Sequence, residues 1–127
     1  MPIEMPASAF KTPPNAIGSP MAIDNSKELL GIKNEIQAVF GATKDLDIIL
    51  AVFKCESGFN PKAISPTGDY GVAQINLKAH YNQIKGDTKD EKIKNLLDYQ
   101  YNIQFAKQLY DKNGLYPWVC YTKDIYH

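Results

Sequence analysis

Apolar residues recur at helical spacing early in the chain: Leu29, Ile32, Ile36, Val39 and Phe40 fall on one stripe, and Gly41 supplies a stop. Asn25 with Glu28 three positions on is a capping pattern, so this helix is expected to start there. A second helix is predicted from Thr43 or Lys44 through "DLDIILAVFKCES". Its apolar run from Ile48 to Phe53 leaves no polar face, so this helix is expected to be central and mostly buried. Gly58 and Asn60-Pro61 end it. In "AISPTGDYGVAQI" the Pro66-Thr67-Gly68 turn signal separates two short extended pieces, which predicts a small hairpin. "TKDEKIKNLL" is polar enough for a surface helix. From Asp98 a further helix is expected, with Tyr99, Ile103, Ala106 and Tyr110 on one face and Gly114 as its stop. The aromatic-rich end, "LYPWVCYTKDIYH", should pack back on the core, with Trp118 inside it.

Residues 1–24 differ in character: they hold five of the eight prolines and show neither helical nor alternating apolar period. They read as an extended tail or linker before a single domain spanning 25–127. A chain of 127 residues suits one such domain. The expected fold class is α+β, mainly α, with a small β-hairpin. Acidic and basic residues number 14 each, so no broad electrostatic pull toward nucleic acid or an anionic membrane is implied. No stretch has the roughly 20 apolar residues of a membrane span, and the first residues lack the apolar core of a signal peptide. With two cysteines and two histidines, His80 and His127, no spacing resembles a metal site.

The chemistry centres on Glu56. Counting back three, four and seven positions gives Phe53, Val52 and Ile49, so the carboxylate shares a helical stripe with three large apolar residues. Loss of water and the negative end of the helix dipole both disfavour its charge and raise its pKa. A carboxylic acid kept neutral near physiological pH can protonate a glycosidic or acyl leaving group. The alternative is a helix-end residue whose head turns to solvent past Gly58. Downstream, Tyr70, Gly71, Gln74 and Asn76 offer an aromatic face, a glycine permitting close approach and two amides, a combination that sugars ask for. Each also has a plain structural use, and it is their clustering after the acid that argues for a cleft between helix and hairpin.

These residues resemble the catalytic segment of the lytic transglycosylase family, in the lysozyme-like superfamily. Its elements correspond to Glu56-Ser57, Asn60-Pro61, Ser65-Pro66-Thr67-Gly68 and Gly71-Val72-Ala73-Gln74, with the family's fifteen-residue step from Glu to Gly. A further element corresponds to Asn102-Ile103 preceded by Tyr101, and the resemblance covers about residues 25–121. It implies a lysozyme-like fold and cleavage of the β-1,4 bond between N-acetylmuramic acid and N-acetylglucosamine in peptidoglycan, with no cofactor. Glu56 would be the general acid and then the base, and Ser57 would orient that carboxylate or the sugar. Tyr70, Gly71, Gln74, Asn76, Tyr101 and Asn102 would line the substrate site. The muramoyl 6-hydroxyl would attack in place of water and leave a 1,6-anhydro end. The expected partner is a peptidoglycan glycan strand, met by a monomer outside the cytoplasm.

One position departs from that pattern. "GDYGVAQIN" also resembles a segment of animal-type lysozymes whose Asp is the second catalytic carboxylate, whereas transglycosylases usually carry a small residue there. Here it is Asp69, which either joins the chemistry of a hydrolase or only stabilises the turn after Gly68. A glycan-binding module that cleaves nothing is the reading from another functional class. Cys55 and Cys120 are either free buried thiols or one disulfide tying the Glu56 helix to the C-terminal segment. A catalytic thiol is disfavoured, because no histidine is placed to activate Cys55.

Overall fold

A computed structural model describes residues 21–127, with side chains from Ser26 onward. The chain divides into two units between residues 31 and 32. Helix α1 spans Met21–Phe40. It begins four residues ahead of the predicted Asn25 start, because Met21, Ala22 and Ile23 are tolerant of helix and extend it. The expected tail is therefore helical over 21–24; its remainder, 1–20, and the Asn25 side chain lie outside the described residues. In the first unit, Leu29 and Leu30 are exposed. In the second, the buried stripe begins at Ile32 and continues through Ile36 and Phe40.

The remaining elements follow in order: α2 (Leu46–Ser57), β1 (Asp69–Tyr70), β2 (Ile75–Asn76), α3 (Lys89–Leu96), α4 (Tyr99–Asn113) and α5 (Val119–Thr122). The unit is thus mainly helical with one two-stranded antiparallel sheet. The apolar run of α2 is central as predicted: Ile49, Val52 and Phe53 are buried. Phe53 meets the Phe40 ring edge-on at 5.8 Å and tilts against Trp118 at 5.6 Å. Gly58 ends α2 in the left-handed region, φ 63°, donating its N–H to the Lys54 carbonyl. At the other end the Asp45 carboxylate accepts from the Tyr110 hydroxyl at 2.7 Å, joining the start of α2 to α4.

The hairpin differs from its sequence reading. Across Pro66-Thr67-Gly68 there is a single bridge, Ile64 to Tyr70, and the ladder proper closes around Gly71-Val72-Ala73-Gln74, pairing Asp69 with Asn76 and Tyr70 with Ile75. Pro66 has no N–H to extend a ladder. Gly71 and Gln74, at φ 80° and 52°, supply the left-handed conformations that the tighter return needs. Helix α3 starts on a full capping box between Thr88 and Glu91. It is mostly solvated, but Lys92 is buried and its ammonium donates to the Ile84 carbonyl at 2.7 Å over the Tyr81 ring. Asp98 caps α4 by accepting from the Gln100 and Tyr101 amides. On the predicted face of α4, Ile103 and Ala106 are fully buried and Tyr99 and Tyr110 pack against the core.

Candidate active site

Glu56 is the penultimate residue of α2 and half-buried. Burial raises its pKa above the ordinary 4.5, a hydrogen bond from the Cys120 amide pulls it back, and the charge of Asp69 adds to the rise. The bond runs from the Cys120 N–H to Glu56 Oε2 at 3.0 Å. The side chain therefore does not turn out past Gly58; it is tied to the first turn of α5. Cys55, its neighbour, forms a disulfide with Cys120.

Asp69 is electrostatically close to Glu56 and behaves in the opposite sense. Burial pushes its pKa up, but the Ser65 and Thr67 hydroxyls, each 2.6 Å from Oδ2, and the Asn76 amide, 2.9 Å from Oδ1, outweigh it, so the pKa lies below 3.8. This carboxylate thus fastens the Ser65 to Gly68 turn to β2. Its charge also acts on Glu56, raising the pKa there while its own is lowered. Two carboxyls with pKa values driven apart form the arrangement that acid and base assignments require.

The other sequence-selected residues divide by where their polar atoms point. Ser57 Oγ donates to the Val72 carbonyl at 2.6 Å, joining α2 to the hairpin rather than bonding the Glu56 carboxylate. Asn76 holds Asp69 and the Thr67 carbonyl with Nδ2 and accepts from the Ala79 amide. Side chains alternate along a strand, so Asp69 and Asn76 share one face while Tyr70 and Ile75 take the other. Tyr70 is half-buried and lines a cavity of about 390 Å³ with Leu77, Lys78, Tyr81 and Lys89. Gln74 Nε2 donates to the Ala63 and Gly71 carbonyls, and among the described residues no donor reaches its Oε1. The Tyr101 hydroxyl accepts from the Lys85 amide at 2.8 Å.

Asn102 has a structural part. It is wholly buried, its amide nitrogen donates to the Tyr70 and Leu96 carbonyls, and its Oδ1 accepts from the Ala73 amide. These three bonds bolt α4 to the hairpin return. Gly71 allows close approach by Asn102. Trp118 sits in the core as expected, with Nε1 donating to the Ala73 carbonyl at 2.8 Å.

Sequence reasoning missed the Cys120 amide, a main-chain group that leaves no mark on residue type. It also missed Ser65 and Thr67 as donors to Asp69, although their spacing of every second residue was a usable signal. Among the described residues no cluster of His, Cys, Asp and Glu could hold a metal ion, and no helix is long and apolar enough to cross a membrane.

No curated protein and no solved structure gives a match to the chain. A family model described as the transglycosylase SLT domain matches residues 35–118, from the middle of α1 to Trp118. That span takes in well over half of the chain and carries Glu56, the hairpin and all of α4, and so the protein belongs to the transglycosylase SLT domain family, whose fold is lysozyme-like.

Proposed function

We propose that this protein is a peptidoglycan muramidase that cleaves the β-1,4 bond after N-acetylmuramic acid, with Glu56 as general acid and then base. The supporting observation is the pairing of Glu56, whose pKa is raised by burial, with the ionised Asp69. Glu56 enters protonated and gives its proton to the leaving oxygen as the glycosidic bond breaks. The muramoyl 6-hydroxyl then attacks the anomeric carbon and returns its proton to the Glu56 carboxylate, which closes the anhydro ring and restores the acid. Family membership favours this non-hydrolytic outcome. Gln74 Oε1 and the Tyr70 ring are the groups best able to meet sugar among the residues singled out from the sequence. The enzyme acts as a monomer, without a cofactor, outside the cytoplasm, where its disulfide would persist. The catalytic domain of this reading is residues 25–127.

A second reading has a specific observation behind it. Asp69 stays ionised close to Glu56, as the second carboxylate of a hydrolytic lysozyme must. Mass spectrometry of muropeptides released from purified sacculi separates the two, because an anhydro end is lighter than a reducing end by one water. Glu56→Gln should abolish release in either case while leaving the fold intact. Undiminished release by that variant would sink the assignment, and absence of turnover by the wild-type protein would favour a glycan-binding module.

A further inference from the structure

Two adjacent residues of α2 are joined to one residue of α5. Cys55 is bonded to Cys120 through sulfur, and Glu56 accepts the Cys120 N–H through Oε2. That amide lies in the first turn of α5, where main-chain N–H groups have no partner inside the helix, and Glu56 supplies one from another element. Helix α5 has four residues, too few to persist on helix propensity, and it sits 64 positions from Glu56 along the chain. Its place depends on Trp118, which anchors its start in the core, and on what fastens it to α2.

We infer that the Cys55–Cys120 disulfide is a positioning device for Glu56: it holds the Cys120 amide against Oε2, which leaves Oε1 as the oxygen that carries the transferable proton. The carbonyl oxygen of a protonated carboxyl is a better acceptor than its hydroxyl oxygen, so the Cys120 N–H favours Oε2 as the unprotonated one, and among the described residues no other donor reaches either oxygen of Glu56. The proton is therefore biased to one side of the carboxyl, so the acid is aimed as well as raised in pKa. This deepens the reading of Glu56 as the general acid and rests on it. The one charge acting on Glu56 from the packed elements is that of Asp69 in β1, while α5 carries Tyr121 as its only titratable side chain. Cys120 thus acts through its main chain, and the sulfur bond acts through Cys120.

The test is a titration of the Glu56 side-chain carboxyl carbon by NMR in the oxidised wild-type protein and in the folded Cys55→Ser, Cys120→Ser double variant. Losing the amide removes a bond that favours the ionised form, so the midpoint should move upward in the variant, with kcat on sacculi falling and KM unchanged. A midpoint that stays or moves down in the folded variant overturns the inference. If the double variant does not fold, the Cys120 amide shift in the oxidised wild-type protein decides. It should follow the Glu56 titration with the same midpoint, and no response across that range overturns the inference. Neither readout needs Glu56 to be catalytic, so unchanged release by Glu56→Gln would defeat the general-acid reading separately.

Discussion

The side-chain nitrogen of Asn102 occupies the space that a β-carbon on Gly71 would take, with the Leu96 carbonyl only 2.6 Å from the same point. Gly71 also sits at φ 80°, a conformation that residues with side chains adopt at a cost. Gly71→Ala should therefore destabilise the protein by about 3 kcal/mol through overpacking and backbone strain. Asn102→Ala should cost about 2 to 4 kcal/mol, since it leaves the Ala73 amide and the Tyr70 and Leu96 carbonyls buried without their partner. Urea denaturation measures both, and a Gly71→Ala protein of wild-type stability would contradict the packing described.

Glu56 gives a pH dependence of stability with a definite sign. Its folded-state pKa is raised above 4.5 by burial, so its contribution is fully present below that value and is lost as pH rises through the folded pKa. Glu56→Gln keeps an oxygen to accept the Cys120 amide and removes the charge. The variant should therefore melt at a higher temperature than wild type at neutral pH, with the difference vanishing at pH 4, even as activity is lost. Melting curves at both pH values check this, and a variant less stable than wild type at neutral pH would count against a raised pKa.

Asp69→Asn removes the negative charge that helps keep Glu56 protonated. The alkaline limb of the pH–rate profile on sacculi should consequently shift to lower pH, whatever happens to the maximal rate. Asp69 itself stabilises the fold above its ordinary value of 3.8, and that contribution is lost as pH falls through its lowered folded pKa. The variant should thus lose stability relative to wild type at neutral pH. An unmoved alkaline limb would show that the two carboxyls do not interact in solution.

Ser57→Ala breaks the bond to the Val72 carbonyl, an atom of the hairpin return. The expected cost is about 1 kcal/mol of stability. Because Ser57 does not bond the Glu56 carboxylate, the pH–rate profile should keep its shape. A displaced profile would restore the orienting role that the sequence resemblance suggests.

Much of this architecture was legible because it follows from local physics. The Ile48 to Phe53 run has no polar face and had to be buried, and Gly58 and Gly114 mark helix ends where a left-handed residue was needed. Long-range consequences were not legible. Asn102 is polar and stands in a familiar motif, yet its three partners lie at positions that only the folded chain brings to it. Lys92 belongs to a helix that reads as solvated, but Ile84 and Tyr81 fold over it. The hairpin was foreseen and its return was misplaced, because Pro66-Thr67-Gly68 is the stronger turn signal while Gly71 and Gln74 carry the pairing. In the candidate site, the sequence pointed to the acid and could not reveal what holds it.

The hairpin return is where distant parts of the chain are fastened together. Ser57 reaches the Val72 carbonyl from 15 residues before it, Asn102 reaches the Ala73 amide from 29 residues after it, and Trp118 reaches the Ala73 carbonyl from 45 residues after it. Each bond closes a loop whose entropy must be given up before the contact forms. The return should accordingly set late in folding, after α2 and α4 have docked. Removing any of the three side chains should speed unfolding far more than it slows folding, which makes this corner of the fold the latch that determines how long the native state lasts.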